Sequence, residues 1–308
     1  MVSKFGSNDS VLLPSGDDAA IVAMPDGDVV VSTDMAVEGV HFRTDWSSPT
    51  HIGAKIAVQN VADIMAMGAY PTAMTVALAV PPATHVTWLE ALAVGIEAVC
   101  KRHGVAVVGG DMSSSPNIVV SITVLGQRRG VRAVTRAGAQ PGNIVAIAGA
   151  LGHSAAGLAC LLQGHHSPRN FVDAFLCPLP PVELGPVAAQ AGATAMIDVS
   201  DGLISDLSHI AKASGVDIHL DPAALLPPPE MADLARALGA SAREWVLTGG
   251  EDHALVAVFP AETPLPAGFR LIGKVSAASA SPTVLYGTQP YAGKGGHDHF
   301  APRATGEN

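Results

Sequence analysis

The sequence predicts an α/β (α+β) chain of two domains, and three observations carry that reading. Short runs rich in Val and Ile, bounded by Gly, Pro, Asp or Ser, recur along the chain with helical patterns between them. Apolar residues make up 48% of the 308 residues, which is enough for a substantial core in one large or two ordinary domains. The composition shifts at 127–142, where Arg128, Arg129, Arg132 and Arg136 cluster ahead of the turn Gln140-Pro141-Gly142-Asn143. That shift sets the expected boundary near residue 134, giving domains 1–133 and 134–308.

Expected strands occupy 28–33, 73–80, 105–108 and 118–126 in the first half, then 144–148, 216–220, 254–259 and 270–275. A helix over 50–67 places Val58, Val61, Ile64 and Met65 on one side and Lys55, Gln59 and Asp63, spaced by four, on another. A helix over 87–103 opens with Thr87 and Glu90 at capping-box spacing and runs Leu89, Leu92, Ile96 and Val99 along one stripe. A third over 200–214 carries Leu203, Leu207 and Ile210. The Pro-rich piece at 225–230 reads as a rigid surface loop. The stretch after Pro302 reads as a disordered tail, and the N-terminus reads as short of a leading helix. No short-period repeat is present, and neither a sandwich nor a bundle fits the mixture.

Charge excludes several classes. Only 14% of residues are charged, against roughly a quarter in average chains, and 27 acids outnumber 17 bases for a formal net charge of −10. Nucleic-acid binding needs clustered Lys and Arg, so no nucleic-acid partner is expected. The stretch between Asp63 and Glu90 holds no charged residue, but Gly68, Pro71, Pro81 and Pro82 interrupt it, so it reads as helix, turn, buried strand and turn. No membrane partner and no secretory signal are expected. Cys100, Cys160 and Cys177 lack metal-ligand spacing and fit reduced thiols in a cytoplasmic protein.

The acids gather at element ends. Gly16-Asp17-Asp18 sits in a turn, where a solvated Asx turn would use the same residues. Ser32-Thr33-Asp34 closes a Val run, a good place for ligands of a hard cation. Asn60 and Asp63, three apart, can face one site from the polar side of a helix. Gly109-Gly110-Asp111 follows a β run, and its glycines would let a phosphate approach the backbone. Asp198-Val199-Ser200-Asp201-Gly202 precedes a helix, where Ser200 or Asp201 could instead serve as a cap. Gly249-Gly250-Glu251-Asp252-His253 precedes a strand. Gathered without partners, Asp17, Asp18, Asp34, Asp63, Asp111, Asp198 and Asp201 would repel one another. Cations resolve that repulsion, and oxygen-only ligation favours Mg²⁺, which bridges carboxylates to phosphates. An acidic chain could bind a nucleotide in this way, although the P-loop and protein-kinase motifs are missing.

In order and spacing the motifs GDDAA (16–20), STDMAVEGVHF (32–42), QNVADIMAMGA (59–69), VGGD (108–111), GALGHSAAGL (149–158), IDVSDGLISDLSHIA (197–211) and TGGED (248–252) resemble the thiamine-monophosphate kinases. That family belongs to the superfamily of aminoimidazole ribonucleotide synthetase, selenophosphate synthetase and the hydrogenase maturation dehydratase. The resemblance runs over about 12–300. It implies ATP-dependent phosphorylation of thiamine phosphate to thiamine diphosphate, with several Mg²⁺ ions and K⁺. It also implies a homodimer, in which an N-terminal mixed sheet pairs with its twin in a barrel-like interface, and a C-terminal α/β domain that completes the active site.

By matched motif, the resemblance assigns Asp17, Ser32, Thr33, Asp34, Asp63, Asp111, Asp198 and Asp201 to the metal shell. It assigns Gly110, Asp111, Arg136 and Ser200 to ATP, and His41, Glu251 and Asp252 to the acceptor. His297 stands at the family's aromatic site near the C-terminus. Asp63, Asp111 and Arg136 are the expected catalytic set, with Arg136 meeting developing charge. Three departures bear on the acceptor: Ser113–Ser115 replace an Arg after Gly-Gly-Asp, His153 replaces an Asp, and His297 replaces an aromatic. A superfamily enzyme with another acceptor, or a non-catalytic binder of nucleotide or thiamine phosphate, remains the alternative.

Overall fold

The computed structural model describes residues 8–13, 21–279, 281–293 and 295–296. The elements run β1 (Val11–Leu13), β2 (Ile21–Val22), β3 (Val30–Val37), α1 (Pro49–Ala66), β4 (Tyr70–Val80), α2 (Val86–His103), β5 (Ala106–Ser114) and β6 (Val119–Gln127). They continue β7 (Ile144–Ala148), α3 (His153–Leu162), α4 (Arg169–Leu176), α5 (Leu184–Gln190), β8 (Ala195–Val199), α6 (Leu203–Ser214) and β9 (Val216–Leu220). Last come α7 (Pro229–Ala237), α8 (Ala242–Thr248), β10 (Ala254–Phe259), β11 (Phe269–Ala277), β12 (Val284–Tyr286) and β13 (Gln289–Pro290). The mixed α/β class is as the sequence predicts.

The strands form three sheets: β1-β2, a four-stranded sheet ordered β3-β6-β4-β5, and a seven-stranded sheet ordered β13-β12-β9-β11-β7-β10-β8. The charge-poor stretch after Asp63 is indeed helix, turn, buried strand and turn, and no helix among the described residues is long and apolar enough to cross a membrane. The four-stranded sheet is open in one chain, with β3 and β5 as its edges, so the barrel-like form is not present within a single protomer.

Helix α1 joins the two larger sheets. It starts at Ser48, whose hydroxyl accepts from His51 N, with Pro49 in the first turn. It is buried on nearly every side, because the four-stranded sheet, β8 and α2 all pack on it. Helices α1 and α2 meet backbone to backbone through two glycines. A Cβ on Gly53 would stand 2.1 Å from Leu92 O, and one on Gly95 would stand 2.0 Å from Thr50 O. The core around Ile56, Val61, Ile64 and Met65 therefore continues into Ala146, Leu255 and Phe259 of the large sheet.

Several local expectations shift. The cap of α2 is His85, two residues ahead of the expected Thr87, and its Nδ1 accepts from Thr87 N. Strand β5 does not end at Gly109-Gly110-Asp111 but runs on to Ser114, since parallel pairing with β4 continues to Val80. Helix α6 starts at Leu203, three residues later than expected, behind Gly202 at φ +132°. Helices α3, α4, α5, α7 and α8 and strands β1, β2, β8, β12 and β13 lie outside the expected set.

Pairing register assigns the two faces of the four-stranded sheet. Asp34, Ile122, Val76 and Gly110 form one row, and Met35, Ser121, Ala77 and Asp111 form the next. Side chains alternate between faces along a strand, so these rows point opposite ways. The Ile122 face is buried under α1, whereas the other shows Val31 58% and Met35 56% exposed.

Candidate active site

Asp34 from β3, Asp63 from α1, and Asp198 from β8 converge where the two sheets approach. Asn60, fully buried on α1, ties the helix to β3: its Oδ1 accepts from Asp34 N at 3.0 Å and its Nδ2 donates to Ile56 O at 2.9 Å. Three residues on, Asp63 Oδ2 accepts the Ser32 hydroxyl at 2.5 Å. Asp198 lies on the β8 face that looks at α1, with its Oδ2 3.1 Å from His253 Nδ1 and both side chains buried.

The electrostatics record the crowding. Burial, then the charges of Asp198 and Asp34, push Asp63 up to about 7, and the Ser32 hydroxyl and His253 offset this only in part. Burial raises Asp34 as well, with His253 opposing and Asp198 adding. Asp206, on the first turn of α6, is pushed to about 7 by burial and by Asp198, although it accepts from the amides of Asp201 and Gly202 at 3.1 and 3.0 Å. Burial disfavours charge on His253, but the hydrogen bond and charge of Asp198, joined by Glu251 and Asp63, outweigh it and hold the imidazole above its ordinary value.

The loop 249–253 is built tightly against β8. Glu251 N donates to Ser200 O at 2.8 Å and His253 N to Val199 O at 3.0 Å. A Cβ on Gly250 would stand 2.2 Å from Ser200 O, so glycine is required there. Glu251 and His253 hold φ of +65° and +51°, an unfavourable region for non-glycine residues that clusters at functional sites. Lys55, 4% exposed, reaches from α1 to Glu251 Oε1 at 3.1 Å, with its ammonium 4.0 Å over the Phe175 ring. Burial pushes Asp252 up to about 6 against the amides of Ser154 and Gly152 and the charges of His153 and His253. Its Oδ2 has no partner among the described residues. Asp252 borders a cavity of about 200 Å³ lined also by His153, Asn170, Asp173, Cys177 and Leu179.

The expected residues fall into groups. Ser32, Asp34, Asp63 and Asp198 come together. Ser200 and Asp201 stand beside them at the start of α6, where Gly296 lies against Asp201 and Ser205 N donates to Gly295 O at 3.0 Å. Arg136 is exposed, and its charge lowers His209 of α6 together with burial and Lys212. One expected hydroxyl and one expected acid point elsewhere. Thr33 donates to Ile122 O and accepts from Thr123 Oγ1, both at 3.0 Å, on the open face of its sheet. Asp111 lies in the open-face row on the far edge strand, three strand spacings or about 14 Å across the sheet, and accepts from Met112 N. Gly110 has a local reason to be glycine, since a Cβ would stand 2.1 Å from Val76 O. His41 closes a tight turn by accepting from Val37 N at Nδ1. Asp17, Asp18 and His297 lie outside the described residues.

Three site residues were not among the sequence candidates. His253 directly follows the Glu-Asp pair, and its position in that motif is the signal that pointed to it. Lys55 reads as a solvated helix residue, and only the packing of both sheets on α1 buries it. Asp206 carries no motif signal beyond lying in the first turn of α6.

Among the described residues no three acid, histidine or cysteine side chains converge at ligand distance. Mg²⁺ needs no such cage, because one or two carboxylates and substrate phosphates usually hold it. The mutually repelling carboxylates of Asp34, Asp63 and Asp198, the first two half-buried and the last buried, fit that donor set.

Residues 16–127 match the family described as AIR synthase related protein, N-terminal domain. The thiamine-monophosphate kinase of Mycobacterium tuberculosis is 46% identical over 292 residues, covering 94% of this chain and 86% of its own. The thiamine-monophosphate kinase structure from Stenotrophomonas maltophilia superposes with a TM-score of 0.81 at 32% identity, covering 92% of this chain and 93% of that one. A structure described as AaThiL complexed with AMPPCP and TMP gives 0.81 at 30% identity, covering 91% and 90%. These relatives cover nine-tenths or more of the chain, so it is an enzyme, a kinase with a phosphate acceptor, and belongs to the thiamine-monophosphate kinases.

Proposed function

We propose that this kinase transfers the γ-phosphoryl group of ATP to the phosphate of thiamine phosphate, giving thiamine diphosphate and ADP. The observation that carries the reading is the convergence of Asp34, Asp63 and Asp198, one buried and two half-buried carboxylates with no counter-charge but His253 close by among the described residues. In the direct in-line reaction an acceptor phosphate oxygen attacks the γ-phosphorus while the bond to the ADP oxygen breaks. The attacking oxygen is already ionised at neutral pH, so no strong general base is needed. Positioning and charge neutralisation supply the catalysis.

Ser32, Asp34, Asp63 and Asp198, with Asp17 and Asp201, would hold several Mg²⁺ ions. When bound, Mg²⁺ neutralises the charge of the two phosphates that must meet. Gly110, Asp111, Arg136 and Ser200 are proposed to contact ATP, and His41, Glu251, Asp252 and His297 the acceptor. We further assign 1–133 to nucleotide, metal and dimer contacts, and 134–308 to completing the site. In this reading the open face of the four-stranded sheet, with Val31, Thr33 and Met35, packs on its twin in a homodimer. The setting is taken as cytoplasmic.

Purified protein with ATP, Mg²⁺ and thiamine phosphate is expected to form thiamine diphosphate and ADP in equal amounts. No product across titrations of Mg²⁺ and K⁺ would overturn the reading, and ADP release with a different acceptor would redirect it within the superfamily.

A further inference from the structure

We propose that His253 is a positioning residue that orients the Asp198 carboxylate toward a divalent cation. The inference rests on the metal-shell reading above and adds a residue that the reading does not use. Nδ1 of His253 lies 3.1 Å from Asp198 Oδ2, and the two residues are only 3% and 5% exposed. One carboxylate oxygen is thereby engaged, and Oδ1 is left as the free acceptor. Nδ1–H donates whether the ring is neutral or charged, so the role does not depend on the ring's titration.

The backbone aims the ring. His253 N is fixed to Val199 O at 3.0 Å, one residue from Asp198, and the residue holds φ +51°. Such a conformation persists only where the surroundings over-determine it. The other ring nitrogen, Nε2, is buried and has no partner among the described residues. A core histidine kept only for packing could be replaced by an apolar ring that leaves no orphaned nitrogen. The strained backbone and the orphaned nitrogen both accompany a single engaged contact, the one to Asp198. Carboxylates that bind metals are commonly held by such an outer partner, whose loss weakens metal binding about 10–100-fold.

The test compares His253→Asn with His253→Phe in the full chain. The Asn amide stands near the Nδ1 position and can still donate to Asp198, whereas Phe keeps the ring shape without a donor. Mn²⁺ binding is followed by the electron paramagnetic resonance of the free ion, without nucleotide, and folding by thermal melting in EDTA. The Asn variant is expected to bind Mn²⁺ within about 3-fold of the unmodified protein, and the Phe variant about 10–100-fold more weakly. Equal binding by the Phe variant, or an equal loss in both, overturns the proposal. If the Phe variant does not fold, His253→Gln replaces it, because its amide stands near Nε2 and makes no bond to Asp198. Equal binding by the Gln variant is then the refuting result. Absence of Mn²⁺ binding by the unmodified protein both alone and with a non-hydrolysable ATP analogue would overturn the metal-shell reading itself.

Discussion

Replacing Asp63 by Asn is expected to stabilise the metal-free protein while abolishing its turnover. The Asp63 carboxyl sits at about 7 against an ordinary 3.8. At about 1.4 kcal/mol per unit, holding it ionised at pH 8 costs up to about 4 kcal/mol. Part of that strain is relieved by solvent at its open side, which leaves about 1–2 kcal/mol for the variant to recover. For a chain of this size that is a rise of about 2–3 °C in melting temperature. The amide oxygen of Asn can still accept the Ser32 hydroxyl, so the local shape is kept.

The sign follows from proton counting. Between pH 3.8 and about 7 the native state binds a proton at Asp63 that the unfolded chain has lost, so stability falls as pH rises through that window. Asp206 adds a slope of the same sign. The raised His253 does too, because its stabilising charge is lost as pH climbs through its folded value. Melting in EDTA at pH 5 and pH 8 is the assay. The gain from Asp63→Asn should be largest at pH 8 and fall to roughly a third to a half of that at pH 5, because the unfolded chain gives up its proton from pH 3.8 upward while the native Asp63 holds it to about 7. Mg²⁺ should flatten the slope of the unmodified protein. An equal gain at both pH values, no gain at pH 8, or near-normal kinase activity in the variant would refute this account.

Asp111→Ala should abolish turnover by removing the proposed ATP contact while leaving Mn²⁺ binding at the Asp34–Asp63–Asp198 cluster unchanged, because the register turns Asp111 to the other face of the sheet; activity and Mn²⁺ binding on one preparation check both. Gly250→Ala should cost about 1–3 kcal/mol, since its Cβ would stand 2.2 Å from Ser200 O, and urea titration would read the loss. Lys55→Met should cost less than Lys55→Ala, because Met keeps the packing on Phe175 whereas Ala adds a cavity; equal midpoints in urea would show that the ion pair to Glu251 dominates instead.

The sequence was most legible where the pattern was local. The strands at 144–148, 216–220 and 254–259 match β7, β9 and β10 residue for residue, because each is a short apolar run between turn residues. Ser32-Thr33-Asp34 and Asn60 to Asp63 were legible as candidates because each sets polar residues in an apolar element, although β3 carries Ser32-Thr33-Asp34 in its interior rather than at its end. Facing was not legible. Thr33 and Asp34 are adjacent, yet alternation along β3 turns their side chains to opposite faces, and only the register with β6 says which is which. The same register turns Asp111 away from Asp34. Lys55 shows the limit of helical spacing: it shares a stripe with Gln59 and Asp63, yet of the three only Lys55 is buried, against Glu251 and Phe175.

The cluster also explains what an acid excess is for. Consistent folds avoid burying like charges, and the places that violate the rule are commonly functional. Here the violation is confined to the junction of the two large sheets, where Asn60, Ser32 and His253 supply just enough hydrogen bonding to hold Asp34, Asp63 and Asp198 in place. Full neutralisation by protein cations would leave nothing for phosphate-bound metal to do, and none at all would drive the carboxylates apart. One histidine beside three carboxylates lies between those limits, so the metal-free fold should be strained and the loaded one relaxed. The Asp63→Asn melting experiment reads that difference directly.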